Sequence, residues 1–415
     1  MIPTDDILES LDLSRARPGV GFLEALFTRF NARVPFENAT KILRDREIAD
    51  PAAKPRTPEI FWADHLQSGS GGTCFARVAA FDALLTALGF RTHKRLGRVE
   101  RDFDHAGLLV EAETGTSSGG VLADVGFPLP ALIPAGADRV ESALGELSVA
   151  RTGRGTAVAW VDGVPEGPRA LELFDEAVSE ERFAEEWRKT FRSSSRFLTR
   201  LSMRRDLENR SVSFAGGEVR VDDRHSRLRI PLAPADAPAR LEEIFGIDRE
   251  IVERAAALVP AEAGEGAPST GATLTAYLEV SAAPEDAYAR IASPAGYRRL
   301  VEGVAEVIAE EPTTSEGGFR LVLGPPGRTE DAANRATDTV APDPSARRLR
   351  QERQSGASAA LSRSSWSAES RGGKTYLLRE LSLPGSREDL LRNDSMRGRL
   401  AGALALDLLA WARML

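Results

Sequence analysis

Along the first third of the chain, apolar residues recur at three- and four-residue steps, the spacing of one face of a helix. Leu23, Leu26, Phe27 and Phe30 form one such stripe, so residues 1–33 are expected to fold as two short helices. Phe75, Val78, Phe81, Leu85 and Leu88 form another, which Gly89 stops. Between them lie the proline-containing turn Val34-Pro35-Phe36-Glu37-Asn38-Ala39-Thr40, a proline-rich loop over 50–59 and a short helix over 61–66. From residue 91 the period drops to two. Strands are expected over 91–100, 104–112 and 121–127, with turn chemistry over 113–120. Short strands and Gly/Pro turns alternate over 128–178, as in a small barrel or sheet. A helix follows over 180–191, with Phe183, Trp187 and Phe191 on one face, then strands over 197–230 and one helical piece over 239–259.

Residues 260–271 are a Pro/Gly/Glu run of low hydrophobicity and read as an interdomain linker. Beyond it the pattern restarts with a strand over 274–280. A helix opened by Pro284 carries Ala287, Tyr288 and Ile291. Five or six strands follow, among them 305–310, 319–323 and 375–383. A last helix over 395–415 shows Leu400, Leu404, Leu408, Trp411 and Leu415 along one stripe. The expected organisation is α+β: a domain over 1–258, a linker over 259–272 and a second domain over 273–415, with no internal repeat.

A length of 415 residues agrees with two or three domains, and the net charge of −8, with both signs interspersed, argues against non-specific nucleic-acid binding. One cysteine excludes an intramolecular disulfide and, together with four dispersed histidines, a zinc site. The acidic N-terminus lacks the features of a signal peptide, and no apolar run is long enough to span a membrane. The expectation is a soluble cytoplasmic protein without metal, nucleic-acid or membrane partners.

The one cysteine stands in Gly71-Gly72-Thr73-Cys74-Phe75-Ala76-Arg77, where a glycine-rich loop turns into a helix. With Thr73 as N-cap, Cys74 falls in the first turn, where the helix dipole favours a thiolate. If the following hairpin folds symmetrically about Thr114-Gly115, partner numbers sum to about 229. His105 then lies opposite Asp124 on one face, with Cβ atoms about 5 Å apart. Cys74, His105 and Asp124 would form a nucleophile, base and orienting carboxylate, with backbone N–H groups at the helix start as an oxyanion hole. The alternative is a lone cysteine packed as a small hydrophobe, and spacing alone leaves both open. His65 and His93 read as surface or internally satisfied side chains, and His225, in Asp222-Asp223-Arg224-His225, as part of a solvated charge cluster. The glycines over 69–72 lack the lysine of a phosphate-binding loop.

Four ordered blocks, Val34-Pro35-Phe36-Glu37-Asn38, Gly71-Gly72-Thr73-Cys74-Phe75, Asp104-His105 and Asp124-Val125-Gly126-Phe127, resemble the arylamine N-acetyltransferases, as does the segment over 241–247. The resemblance covers about residues 1–258. It implies a cysteine-protease-like helical bundle, a β-barrel and an α/β lid, and ping-pong acetyl transfer from acetyl-CoA to an aromatic amine or hydrazine. It makes Cys74 the acyl acceptor, His105 the base and Asp124 its partner, with Phe36 and Phe127 lining the acceptor pocket. Ordinary core packing is the competing role for both phenylalanines. The chain departs from the family's pattern at Ser70, where an arginine is usual, at Ala76 and Val78, where Glu and Asn are usual, and at Pro128-Leu129, where glycines follow. These departures bear on the acceptor pocket and on how CoA is held, and leave open an amide synthase, a transglutaminase-like thiol hydrolase or a non-catalytic scaffold. Residues 273–415 resemble the START or polyketide-cyclase-like helix-grip (SRPBCC) superfamily in element order. That implies a curved antiparallel sheet around a long C-terminal helix and a cavity for a hydrophobic ligand, near which Arg363, Trp366 and Tyr376 would point inward or decorate strands.

Overall fold

The computed structural model describes the chain apart from residues 115–116, 128, 162–169, 193–194, 260–270, 302–305, 314–317, 325–335, 356–360, 372 and 384–393. Two compact units result, one of Met1–Arg224 with Leu232–Pro268, the other of His225–Pro231 with Ser269–Leu415. The expected division differs in one segment. Residues 226–231 join the second unit because Ser226, Arg227, Leu228 and Arg229 pair with Ala276, Thr275, Leu274 and Thr273. A pairing across that sequence distance leaves no local signal. The expected linker, apart from Val259, Gly271 and Ala272, lies outside the described residues.

In the first unit, helices α1 (Thr4–Ser10), α2 (Val20–Arg33), α3 (Ala39–Glu47), α4 (Pro58–Ser68) and α5 (Cys74–Ala87) precede most of the strands. Strand β1 (Phe36–Glu37) lies between α2 and α3. Then come β2 (Arg91–Arg98), β3 (Asp102–Thr114), β4 (Ser117–Leu122), β5 (Ile133–Pro134), β6 (Arg139–Ser142), β7 (Gly145–Arg151), β8 (Gly155–Trp160) and β9 (Ala170–Phe174). These form an antiparallel sheet in the order β5-β4-β3-β2-β9-β8-β7-β6. Helix α6 (Glu180–Lys189) starts where Ser179 Oγ accepts the Arg182 N–H. Strands β10 (Ser202–Leu207), β11 (Arg210–Ala215) and β12 (Glu218–Asp222) extend from β1.

The helical piece expected over 239–259 is two helices, α7 (Ala237–Phe245) and α8 (Arg249–Leu258). Gly246 separates them in the left-handed region at φ 73°, ending α7 as glycine C-caps do, and Asp248 caps α8 through the Glu250 N–H.

Helix α5 is the centre of this unit. Every residue over 74–81 is buried, as are Leu84 and Leu85, so the helix is enclosed rather than amphipathic. It packs in one core with Leu23, Leu26, Phe27 and Phe30 of α2, Phe61 and Trp62 of α4, and Ala106, Leu108 and Val110 of β3. A second core of Leu122, Leu147, Val158, Leu171 and Leu173 fills the strand region.

The second unit holds β13 (Ser226–Pro231), β14 (Ala272–Val280), α9 (Pro284–Ile291), α10 (Pro294–Val301), β15 (Glu306–Pro312), β16 (Phe319–Gly324), β17 (Ala336–Asp343), β18 (Arg348–Ser355), β19 (Leu361–Arg371), β20 (Lys374–Leu383) and α11 (Asp394–Ala412). Its antiparallel sheet runs β13-β14-β20-β19-β18-β17-β16-β15, and α11 lies against β14 and β20. Leu404, Leu408 and Trp411 are the buried stripe of α11. Trp411 donates Nε1–H to the Ala287 carbonyl at 2.9 Å and meets Trp366 edge-on at 6.0 Å. Trp411→Ala should therefore cost about 3–5 kcal/mol in chemical denaturation, and a cost near zero would contradict its place in the core.

Candidate active site

The loop before α5 is glycine-rich because backbone must pass backbone there. A Cβ on Gly71 would lie 1.7 Å from the Pro35 carbonyl oxygen, and Gly69, at φ 67°, would put one equally close to Gly246. Gly72 donates its N–H to Pro35 and accepts from Glu37, so residues 35–37 run alongside the loop. Thr73 occupies the N-cap position of α5, but its side chain makes no cap hydrogen bond. Cys74, 8% exposed, directs Sγ toward the Asp104 carbonyl at 3.9 Å.

His105 and Asp124 do meet, by a route that differs from the expected register. Leu109 faces Leu122 and Val110 faces Val121, so partner numbers differ by two from the symmetric hairpin. The strand expected over 121–127 ends at Leu122. Asp124 lies in a turn that its own side chain builds: Oδ1 accepts the N–H groups of Gly126 and Phe127, each at 2.8 Å. Its Oδ2 accepts from His105 Nε2 at 2.7 Å, with both side chains buried. Cys74 also interacts with His105 and adds to the pull that raises it. Gly126 seals the group. A Cβ there would stand 2.9 Å from Cys74 Cβ and 3.1 Å from His105 Cε1.

Burial opposes a charge on His105, but the Asp124 carboxylate and its hydrogen bond, with Cys74, outweigh it and raise the imidazole to about 10. Asp104 shapes the approach. Its carboxylate accepts the N–H groups of Val99, Glu100 and Arg101, closing the β2–β3 turn, and Phe103 takes a left-handed φ of 66° just ahead of His105.

Sequence reasoning did not find the cations that hold this site. Arg77, one turn after Cys74 and 1% exposed, donates to the carbonyls of Val125 (2.7 Å) and Val34 and to Asn31 Oδ1 (2.7 Å), beneath Phe30. It ties α5 to the Asp124 turn and to the 34–38 segment. Burial lowers it to about 9 against the pull of Asp206 and Asp124. Ser70, where an arginine was expected of the family, is buried with Oγ unbonded. The loop is held from elsewhere: Arg56 donates to the Gly71 carbonyl and stands 3.8 Å from the fully buried Glu37.

Lys41 on α3 is 6% exposed, and its Nζ donates to Thr190 Oγ1 at 2.8 Å. Its ammonium lies over the rings of Phe191 (4.9 Å) and Phe197 (6.0 Å). Burial lowers it to about 8, partly offset by Cys74 and Asp45.

Of the expected pocket residues, Phe36 bridges to Gly72 and contacts Phe197 at 5.5 Å, and Phe127 meets His105 edge-on at 6.1 Å; both are half-buried. His65 is buried and internally satisfied, with Nδ1 2.9 Å from the Ser70 carbonyl, and burial lowers its pKa. His93 pairs with Glu111 in solvent, and His225 is exposed.

In the second unit Trp366 points inward. Through Gln351 it joins a polar network in which Arg353 grips Asp338 with Nε and one Nη, Tyr297 donates to Asp338, and Arg379 reaches Gln351, Asp407 and the Ser365 carbonyl. Arg363 is exposed and pairs with Glu352. Tyr376 is half-buried, its hydroxyl 3.5 Å from Glu279. Among the described residues no group of His, Cys, Asp and Glu is arranged to hold a metal, and no helix is long and apolar enough to cross a membrane.

Residues 20–140 match the N-acetyltransferase family model. Solved arylamine N-acetyltransferases share the fold. That of M. tuberculosis is 20% identical, covering 62% of this chain and 100% of its own, at a TM-score of 0.53. The Mycobacterium marinum enzyme in complex with CoA is 18% identical (62% and 100% coverage, TM-score 0.52). A Bacillus cereus enzyme with a Cys-His-Glu catalytic triad is also 18% identical (60% and 100%, TM-score 0.51). No curated protein matches the chain in sequence.

Two outcomes test the electrostatics. Folded Lys41 gives up its proton above about pH 8 and the unfolded chain keeps it to 10.5, so stability contributed at this residue rises with pH across that window. Keeping the ammonium charged at neutral pH costs on the order of 3 kcal/mol. Lys41→Met should accordingly raise the midpoint of urea unfolding at pH 7 and flatten the rise between pH 8 and 10.5; an unstable variant would contradict this. Arg77→Met should instead destabilise by about 3–5 kcal/mol, because it strips the partner from two buried carbonyls and Asn31.

Proposed function

We propose that the first unit is an acyl-CoA-dependent N-acyltransferase that moves an acetyl group from acetyl-CoA to an arylamine or related amine through a thioester on Cys74. The observation that carries this is the buried Asp124–His105 hydrogen bond, with Cys74 interacting with the same imidazole at the start of α5. The N-acetyltransferase family match over residues 20–140 includes all three residues. CoA in the M. marinum relative and the Cys-His-Glu triad of the B. cereus relative support the donor and the nucleophile.

In the first half-reaction the Cys74 sulfur attacks the thioester carbonyl. The new S–C bond forms, the CoA sulfur leaves, and His105 supplies the proton it takes away. In the second, the amine nitrogen attacks acyl-Cys74, its proton passes to His105, and the amide departs as Cys74 recovers its thiolate. Asp124 holds the imidazole in line and supports its charged form throughout. N–H groups at the start of α5 meet the developing oxyanion. Because donor and acceptor use the same sulfur in turn, the kinetics are ping-pong. Phe36, bridged to Gly72, and Phe127, edge-on to His105, stand where an aromatic acceptor would stack.

Residues 273–415 fit a helix-grip domain in the order of their strands and in the long terminal helix against β14 and β20. A hydrophobic ligand there would have to share the interior with the Asp338–Arg353–Tyr297 network.

Intact mass after incubation with acetyl-CoA tests the central step. One acetyl group should appear on the wild type and none on Cys74→Ala. His105→Gln should slow its appearance by about 10²–10⁴-fold. Acetylation of Cys74→Ala to the same extent would contradict the proposal.

A further inference from the structure

We propose that Lys41 sets the specificity of the Cys74 pocket, selecting a substrate that brings a carboxylate next to the thiol, on the acyl group or on the aromatic amine. This rests on the acyl-transfer reading of the site and goes beyond it, since it names the chemistry of what is transferred or received. An ammonium removed from water is costly unless a carboxylate pairs with it. Lys41 is 6% exposed, and among the described residues no carboxylate lies within ion-pairing distance of it. Asp45, one turn along α3, is engaged by Lys54 at 2.7 Å.

Thr190 Oγ1 takes one of the three ammonium donors. The faces of Phe191 and Phe197 supply cation–π attraction but no hydrogen-bond acceptor. Two donors remain for a ligand, and a carboxylate is the acceptor that matches both charge and donor count.

The surroundings place that ligand at the nucleophile. Phe197 contacts Phe36, Phe36 bridges to Gly72, and Gly72 lies two residues before Cys74. Lys41 and Cys74 interact electrostatically. Phe36, Phe191 and Phe197 are half-buried while the ammonium beneath them is not exposed. These contacts set the ammonium among aromatic rings, on the segment that adjoins the loop carrying the thiol.

Cys74 itself can report on this without any acyl transfer. Iodoacetate and iodoacetamide alkylate a thiol by the same displacement, in which the S–C bond forms as iodide leaves, and they differ only as carboxylate and carboxamide. In the full-length protein the ratio of the two rates at Cys74 should favour iodoacetate and should fall at least fivefold in Lys41→Met. Lys41→Gln should behave like Lys41→Met, and Lys41→Arg should keep the preference; circular dichroism verifies that each variant is folded. A reactive Cys74 whose ratio is the same in wild type and both neutral variants overturns this inference and leaves acyl transfer standing. A Cys74 that neither reagent modifies contradicts both.

The source of the carboxylate is separated by two comparisons of kcat/KM, succinyl-CoA against acetyl-CoA and 4-aminobenzoate against aniline. The arm in which Lys41→Met lowers the ratio at least fivefold identifies the carrier, and no change in either arm overturns the proposal.

Discussion

The buried hydrogen bond between Asp124 and His105 is the interaction on which the rest of the site depends. At 2.7 Å and buried on both sides, it holds the ring in one orientation at the start of α5. A carboxylate in that position has to be satisfied on both oxygens, and it is: Oδ2 by the imidazole, Oδ1 by the Gly126 and Phe127 N–H groups. The same two bonds end β4 and bring Gly126 against Cys74. One side chain therefore shapes the turn, orients the base and closes the pocket around the thiol.

Around that pair the protein carries an uncommon number of buried cations, and each is satisfied differently. Arg77 spends its donors on carbonyls and an amide, welding α5 to the Asp124 turn. Arg56 holds the glycine loop and faces Glu37. Lys41 has no carboxylate partner among the described residues and a single acceptor, Thr190 Oγ1, under two aromatic rings. Side chains that give up stability in this way are concentrated where ligands bind. The contrast among the three is what separates a positioning role for Arg77 and Arg56 from a recognition role for Lys41.

Much of this could be read from the sequence where the physics is local. The apolar stripe of Phe75, Val78 and Phe81 marks α5, and the change from period four to period two marks the strands. His105 and Asp124 could be paired from the hairpin pattern, although the register differs by two residues and Asp124 stands in a turn rather than a strand. The arylamine N-acetyltransferase resemblance, not spacing, put roles on these residues. Arg77 and Lys41 were illegible because a charged residue in a helix reads as solvent-facing. Their partners, Val34, Val125 and Thr190, lie far along the chain and become neighbours only in the fold. The separation of α7 from α8 was signalled by Gly246, in a stretch whose periodicity reads as continuous.

The most direct test is the charge state of His105 itself. Its ring nitrogens can be observed by 15N NMR from pH 5 to 10 in the wild type, with Asp124→Asn as reference. The Asp124 interaction predicts that His105 stays an imidazolium, with both nitrogens protonated, through pH 8, and that Asp124→Asn loses this. A wild-type imidazole that titrates near the ordinary histidine value, unchanged by the substitution, would contradict the account.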